Sequence, residues 1–361
     1  MPNNTLRSVL QDALWLILLA LGTTLALALI IRLCGQNPAD ALAALAHGAF
    51  GSAGGLAATA SRSVILLLYA LGLIVSMRAG CLNIGAEGQS RVGAAAATAC
   101  AAGALGGALA HLGWAGILLL LLAGTLGGAL WALIAGALKE WRGVPEVIST
   151  LMLNFVALLL VRWLVRSESL LRGHTIFAQS DPLPERLRLA GWWQTEVHAG
   201  VLVALPAIVA LHFFLFHTPR GFALRAMGLN PTAALACGIP VVRLRLFSFA
   251  LAGGLAGFAG ALGILSRYRL ELDPTYPDYG YLAIAVALVA NLKPLQVLPS
   301  ALLFAGLEVG ARSMEGNAGV SHDVIYLVEG MIIVAILIRG VAGARFKAGS
   351  DATLAAAGSA A

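Results

Sequence analysis

The chain has 361 residues, of which 60% are hydrophobic and only 11% are charged, and its mean hydropathy is +0.88. Soluble domains carry about 25% charged residues, so this composition excludes a water-soluble globule. The chain has 23 Lys and Arg against 17 Asp and Glu. So thin an excess, spread along the sequence, does not indicate nucleic-acid binding, but it suits a protein of the lipid bilayer whose cytoplasmic loops carry the cations.

Ten apolar segments predict transmembrane helices. A hydrocarbon core about 30 Å thick takes roughly 20 helical residues, and a spanning backbone must satisfy its own hydrogen bonds as a helix. The predicted spans are 13–31, 63–77, 92–110, 115–138, 147–165, 199–217, 244–266, 280–291, 295–312 and 322–340. The segment 280–291 is short and 92–110 is rich in Ala and Gly, so we expect both to pack inside a helix bundle.

The pattern therefore predicts an all-α, polytopic membrane protein with about ten transmembrane helices. We expect residues 1–347 to form a single transmembrane domain and the low-complexity segment 348–361 to be a disordered tail. Ten crossings place both termini on one side of the membrane. We expect that side to be the cytoplasm, because 13 of the 23 Lys and Arg then lie inside.

The segment GCLNIGAEGQ at 80–89 interrupts the apolar pattern between the second and third predicted spans. Three closely spaced glycines weaken a helix here, and Asn83, Glu87 and Gln89 bring polar side chains. Broken helices at membrane depth occur where they line a cavity or are buried in protein, and transporters use them as binding sites. The segment is thus either part of a polar path for a transported molecule or a cytoplasmic turn.

Asn154 lies in the middle of the predicted span 147–165. An Asn in a span either hydrogen-bonds a neighbouring helix or meets a polar ligand. The adjacent Phe155, together with Phe247 and Phe249 of a later span, either presents an aromatic wall to a flat ligand or fills space between helices. Asn154 and Phe155 complete the candidate path.

The loop 218–245 has more helix-breaking residues than a plain connector needs. Pro219 ends the preceding span, and Gly228 permits a C-terminal helix cap. Pro231 disfavours helix at Asn230, whose side chain can then cap the next short helix. The loop is therefore predicted to hold two short helices at the cytoplasmic surface.

Glu308 and Glu329 lie in the last two predicted spans. A carboxylate in a span is costly unless it faces a partner or water, so such residues mark function by default. Their positions are compatible with proton coupling, with a partner in a subunit interface and with a solvated vestibule.

Several motifs that carry chemistry are absent from the sequence. A P-loop needs GxxxxGK[ST], whereas none of the three lysines, Lys139, Lys293 and Lys347, follows a glycine. No HExxH motif or other metal-ligand spacing occurs, and no Ser and His or paired-Asp constellation indicates an intramembrane enzyme. The sequence thus predicts no catalytic residue, no metal site and no cofactor of its own.

The segment GFALRAMGLNPTAALACGIPVVRLRLFSFALAGGLAGFAGAL at 221–262 resembles the coupling-loop region of permease subunits of ABC importers for simple sugars, purine nucleosides and branched-chain amino acids. Segments at 80–89, 145–160 and 280–310 resemble the nucleoside and simple-sugar branch in particular, through NIGAEGQ and STLMLN. The resemblance extends over residues 63 to 340 or so.

This resemblance implies a type II ABC importer permease fold in a bacterial inner membrane. The loop 218–245, hereafter the coupling loop, would sit in a groove of a separate cytoplasmic ATPase, which hydrolyses the ATP. A second permease subunit, expected to be a different chain, and an extracytoplasmic substrate-binding protein are also implied. The residues expected to receive the motion of the ATPase are Arg225, Gly228, Asn230, Pro231, Ala233 and Ala234.

The cargo that the resemblance implies is a nucleoside or a simple sugar. Two alternatives stay open at this point. One is an ABC permease for branched-chain amino acids, and the other is an ion-coupled secondary transporter that uses Glu308 or Glu329.

Overall fold

The computed structural model describes residues 21–167, 171, 173–174, 179–189, 200–270, 279–321 and 323–334, without the side chains of residues 103 and 104. Regular structure in these ranges is helical. The helices are α1 Leu21–Leu33, α2 Pro38–Phe50, α3 Ala53–Arg78, α4 Ala86–Ala101, α5 Gly103–His111, α6 Trp114–Arg142, α7 Glu146–Arg166, α8 Gly200–His217, α9 Pro219–Leu229, α10 Pro231–Ala236, α11 Val241–Arg267, α12 Tyr279–Val289, α13 Val297–Ala318 and α14 Val324–Val334. The predicted tail 348–361 lies outside the described residues.

The helices confirm the prediction of an all-α, polytopic membrane protein. Among the described residues, six helices are long and apolar enough to cross a bilayer, namely α3, α6, α7, α8, α11 and α13 with the turn before it. The pair α4 and α5 makes a seventh candidate, and α1, α12 and α14 are shorter apolar helices. Each of the ten predicted spans overlaps one of these helices or the bent pair, although residues 13–20 of the first span and 322 and 335–340 of the last lie outside the described residues.

The expectation of one continuous helix over 92–110 is wrong. The chain turns by 83° between α4 and α5, and Ala102 between them has an extended backbone with ψ 151°. Three glycines in the first five residues of α5, at positions 103, 106 and 107, lower the helix propensity at this point. The span is therefore replaced by two shorter helices.

The sequence patterns also miss α2. Its 13 residues are too few to cross a bilayer, so a search for spans overlooks it. A local signal was present: Asn37 accepts a hydrogen bond from the Ala39 amide at 3.0 Å, and Pro38 occupies the first helical position. This is an N-cap followed by Pro, a combination that favours helix initiation.

Contacts divide the chain into two compact units, Leu56–Ala305 and the pair of segments Met1–Gly55 and Gly306–Ala361. In the first unit, α4, α6 and α11 approach through glycines. A Cβ added to Gly257 of α11 would lie 2.2 Å from the carbonyl oxygen of Gly124 in α6, and one added to Gly93 of α4 would lie 2.4 Å from Gly257 Cα. Only hydrogen fits at these contacts, which is how small residues let membrane helices pack closely.

Large apolar side chains remain exposed on α6, α7 and α8. Leu118 is 65% exposed, Leu159 63% and Leu202 58%. Such faces suit lipid, because each backbone polar group is already bonded inside its helix. The polar residues discussed next lie instead inside the first unit, and they belong to the segment between α3 and α4, to α4 itself, to α7 and to α12.

Candidate functional site

A break in helical structure separates α3 from α4. Residues 81–84 have no regular structure, and α4 begins at Ala86. Polar side chains within the break and just after it are buried: Asn83 is 1% exposed, Glu87 4% and Gln89 2%. Buried polar groups must be hydrogen-bonded to be tolerated, so their partners decide what the break can do.

Asn83 and Gln89 bond each other through both of their amide groups. The Asn83 Nδ2 donates to Gln89 Oε1 at 3.2 Å, and the Gln89 Nε2 donates to Asn83 Oδ1 at 2.9 Å. The same Asn83 oxygen also accepts from the Gly85 amide at 3.0 Å. This reciprocal pair fixes the start of α4.

Asn154, which belongs to α7, hydrogen-bonds both the break and the first turn of α4. Its Oδ1 accepts from the Gly88 amide at 2.9 Å, and its Nδ2 donates to the Ile84 carbonyl at 3.0 Å and to Tyr281 Oη at 3.3 Å. Gly88 lies in the first turn of α4, where amides have no partner within their own helix. Asn154 therefore caps α4 from a different helix.

Three further contacts complete this arrangement. Thr150 Oγ1, one turn before Asn154, accepts from the Ile84 amide at 3.3 Å. The buried carboxylate of Glu87 pairs with Arg91 at 2.9 Å and accepts from the Gly280 amide, at the start of α12, at 2.9 Å. We call these side chains the polar cluster; its members are Asn83, Glu87, Gln89, Thr150, Asn154 and Tyr281.

The structure thus brings together four of the five residues predicted for the substrate path, all except Phe155. That side chain is 53% exposed, whereas the other four are buried. Of the other two phenylalanines, Phe249 is fully buried, whereas Phe247 is 42% exposed and contacts Phe214 with ring centroids 5.9 Å apart. A role of Phe155 toward cargo stays a prediction.

Tyr281 and the Gly280 amide are members of this site that the sequence patterns did not single out. They come from a segment that reads Tyr-Gly-Tyr at 279–281. A tyrosine at the start of an apolar span is a signal for a polar tip that needs a partner. Its partner, Asn154, lies 127 positions earlier in the chain, so no local pattern identifies it.

The coupling loop contains the two expected short helices, α9 and α10. Thr218 caps α9, because its Oγ1 accepts from the Gly221 amide at 3.1 Å. Asn230 is extended, with φ −154° and ψ 101°, as a residue before proline prefers. Its Oδ1 accepts from the Ala233 amide at 3.0 Å and so caps α10.

The expected role of Gly228 as a helix cap is wrong, because α9 continues to Leu229. Gly228 instead lies against the end of α3. A Cβ added there would be 2.1 Å from the Arg78 carbonyl oxygen and 2.9 Å from the Gly80 amide nitrogen. Close approach of two backbones is the reason for this glycine.

The six residues predicted to receive the motion of an ATPase divide into two groups. Asn230, Pro231 and Ala233 are exposed. Ala234 is 4% exposed, and Arg225 and Gly228 are partly buried against the rest of the protein. The exposed group lies between two prominent apolar side chains, Leu229 at 89% exposure and Leu235 at 64%.

Arg225 faces an aromatic ring that it shares with Arg78. The Phe216 ring centroid at the end of α8 lies 4.8 Å from the Arg225 guanidinium carbon and 5.7 Å from that of Arg78. Arg78 also donates from Nε to the Leu292 carbonyl at 3.0 Å and from Nη2 to the Asn291 carbonyl at 3.3 Å. The ends of α3, α8, α9 and α12 therefore meet at these side chains.

The two carboxylates of the last spans lie in the second compact unit. Glu308 pairs with Arg312 at 3.2 Å. Glu329 is 5% exposed, and its Oε1 has no hydrogen-bond partner among the described residues. Within the described part of the chain, no group of three or more His, Cys, Asp and Glu side chains could hold a metal ion.

Comparison with known proteins finds individual relatives and a family match that includes both the polar cluster and the coupling loop. Residues 55–337 match the family described as branched-chain amino acid transport system, permease component. The guanosine ABC transporter permease protein NupP of Bacillus subtilis is 31% identical over 335 residues, covering 90% of this chain and 94% of that protein. The nucleoside ABC transporter permease protein NupB of Lactococcus lactis is 29% identical over 357 residues, covering 93% of each.

A third relative has a different cargo in its name. The glucose ABC transporter permease protein TsgB13 of Haloferax volcanii is 32% identical over 316 residues, which cover 83% of this chain and 80% of that protein. The matched region of the family, 55–337, contains the polar cluster and the coupling loop.

Proposed function

Since the chain belongs to the family of permease components of branched-chain amino acid transport systems, we propose that it forms the translocation path for a nucleoside or a simple sugar in an ABC importer. The observation that carries this proposal is the similarity, over most of the chain, to three permeases whose names specify guanosine, nucleosides and glucose. These cargoes share ring hydroxyls and lack a net charge.

The polar cluster supports a path for such molecules. Sugar hydroxyls and the edges of nucleobases both donate hydrogen bonds to side-chain amides and accept them. In the structure, the side-chain amides of Asn83 and Gln89 are hydrogen-bonded to each other. Separation of this pair would expose two donors and two acceptors to a passing molecule. Re-formation of the pair behind the cargo would favour release, since conduction requires that binding along the path is weak.

Energy for transport comes, in this proposal, from a separate ATPase subunit. The sequence has no P-loop motif, so the proposal assigns ATP to that subunit and no cofactor to this chain. The coupling loop supplies the docking surface, because Leu229 and Leu235 expose apolar area on either side of the cap residue Asn230. Exposed apolar patches rimmed by polar groups mark protein interfaces.

The remaining components follow from the family resemblance. We propose a second permease subunit that is a different chain, and an extracytoplasmic binding protein that delivers the cargo. The complex would lie in a bacterial inner membrane with both termini in the cytoplasm. The distribution of Lys and Arg supports this orientation, since the positive-inside rule favours cationic loops in the cytoplasm.

Purification and reconstitution test the function. The tagged chain would be purified from its native membrane in mild detergent, and we expect a P-loop ATPase to remain bound in stoichiometric amount. The complex would then be placed in liposomes with ATP, its binding protein and labelled guanosine, glucose or leucine. We expect ATP-dependent uptake of guanosine or glucose. Uptake of leucine alone would contradict the cargo, and uptake by the isolated chain along an ion gradient would contradict the ABC mechanism.

The coupling loop has a matched control within this chain. Asn230→Asp and Pro231→Ala are each expected to leave ATP hydrolysis active while uptake falls at least fivefold, because they alter the exposed surface beside the α10 cap. Asn37 and Pro38 form a similar N-cap at α2, where Asn37 Oδ1 accepts from the Ala39 amide and Asn37 Nδ2 donates to Asp40. Pro38→Ala, the counterpart of Pro231→Ala, is therefore expected to leave uptake per ATP unchanged. Normal uptake in both coupling-loop variants would remove the loop from the mechanism.

A further inference from the structure

The N-terminal end of α12 is hydrogen-bonded to the polar cluster. Just beyond its C-terminal end, the chain is hydrogen-bonded to Arg78, which borders the coupling loop. We propose that α12 transmits displacement of the coupling loop to the polar cluster, and that Arg78 is the positioning residue that attaches α12 to α9. This inference rests on the proposed function, since it assigns a mechanical route within the same transporter.

The attachment at the C-terminal end of α12 is specific. Arg78 donates to the carbonyls of Asn291 and Leu292, two residues that have positive φ values of 51° and 54°. Residues other than glycine rarely adopt this backbone conformation. The turn nevertheless closes α12 tightly, because the Leu292 amide donates to the Ala287 carbonyl at 3.0 Å. Both carbonyls are thereby presented to a single guanidinium.

The coupling loop reaches Arg78 through two contacts. The guanidinium carbons of Arg225 and Arg78 both lie over the Phe216 ring, 4.8 and 5.7 Å from its centroid. The backbone of Gly228 lies so close to the Arg78 carbonyl that no Cβ fits between them. A displacement of α9 toward α3 therefore cannot be absorbed by empty space, and it moves Arg78.

The attachment at the N-terminal end of α12 is to the polar cluster itself. The Gly280 amide donates to Glu87 Oε2 at 2.9 Å, and Tyr281 Oη accepts from Asn154 Nδ2 at 3.3 Å. Between its ends, α12 is an unbroken helix of 11 residues, about 16 Å long. Ala283, Ala285 and Val286 are buried along it. A short, buried helix moves as one body, so movement at residues 291–292 becomes movement at Glu87 and Asn154.

A double-mutant cycle tests this route. Arg78→Lys keeps the charge but lacks the fork that reaches two carbonyls, and Tyr281→Phe removes only the hydroxyl that Asn154 bonds. In the reconstituted complex, uptake per ATP hydrolysed is expected to fall at least fivefold with Arg78→Lys and about threefold with Tyr281→Phe. Sites this far apart normally act additively. If α12 connects them, the double variant will lose no more than the larger single loss.

Arg188 supplies the matched control. It lies over the Tyr268 ring at 5.1 Å and donates from Nε to the Leu183 carbonyl at 2.7 Å, so its chemistry resembles that of Arg78. Arg188→Lys is expected to leave uptake per ATP unchanged. If Arg78→Lys does not assemble, Arg78→Gln replaces it with the same expected loss, because a single amide nitrogen lacks the fork that reaches both carbonyls.

The outcomes separate the two levels of the argument. Losses that multiply in the double variant, or an unchanged yield with Arg78→Lys, would overturn the role of α12 and leave the proposed function intact. Absence of ATP-driven uptake by the unmodified complex would overturn the proposed function instead.

Discussion

The polar cluster and the coupling loop both lie where helices are interrupted. Hydrogen bonds between residues far apart in sequence stabilise the first, whereas bonds between near neighbours stabilise the second. In the polar cluster, Asn154 bonds Gly88 across 66 positions and Glu87 bonds Gly280 across 193. In the coupling loop, Thr218 and Asn230 each cap a helix that starts at the next residue, by bonding an amide three positions ahead. The first region requires the assembled bundle, whereas the second needs only its own residues.

This difference has a mechanical meaning. A locally capped pair of helices keeps its shape when it is displaced, because its hydrogen bonds travel with it. The polar cluster joins α4, α7 and α12, so its bonds must break or stretch when any one of them moves. In the proposed importer, the coupling loop would therefore move as a rigid body, and the polar cluster would open by breaking its hydrogen bonds.

The largest expected effect comes from a substitution that removes long-range hydrogen bonds of the polar cluster. Asn154→Leu leaves the Gly88 amide, the Ile84 carbonyl and the Tyr281 hydroxyl without their shared partner. Each abandoned buried group costs about 1–3 kcal/mol, so we expect a loss of about 4 kcal/mol in stability, read as a lower midpoint of thermal unfolding in detergent.

Asn317→Leu is the control for this variant. Asn317 is exposed on α13 and donates only to Ser313 Oγ at 3.1 Å. Its replacement is expected to change stability by less than about 1 kcal/mol. Equal losses in the two variants would show that the bonds of Asn154 carry no special weight.

Sequence reasoning identified the members of the polar cluster better than their partners. Asn83, Glu87, Gln89 and Asn154 stand out because polar side chains are rare among apolar spans. Their reciprocal bonding and the contribution of Tyr281 depend on which helices become neighbours. The periodicity of apolar residues along a helix does not indicate which other helices it will contact.

The coupling loop was predicted more fully, because caps and prolines act on adjacent residues. The two short helices and the extended Asn230 follow from local rules alone. The one local error, at Gly228, occurred where the loop contacts a distant element, since this glycine accommodates the end of α3. The same limit of local information thus appears in both regions.

A substitution at Gly228 tests that contact. Gly228→Ala places a methyl group 2.1 Å from the Arg78 carbonyl oxygen, so backbone must shift. Overpacking of this kind costs about 1–3 kcal/mol. Outside its own helix backbone, no atom of the described residues lies within 4 Å of a Cβ added to Gly316 of α13, and Gly316→Ala is expected to stabilise the protein by up to about 1 kcal/mol. Thermal unfolding of the two variants should therefore shift in opposite directions; a shift in the same direction would remove the close contact from the account.

The smallest expected effect concerns the local half of the comparison. Asn230→Ala removes the α10 cap and Asn37→Ala removes the matching cap of α2, each at a cost of about 1 kcal/mol. Hydrogen exchange should accelerate in both cases, and only at the amides next to the altered cap, because the bonds are local. Uptake per ATP should fall in the first variant alone, since α10 borders the surface assigned to the ATPase. Faster exchange in the polar cluster of Asn230→Ala would mean instead that the two regions unfold together, and that the coupling loop does not move as an independent rigid input.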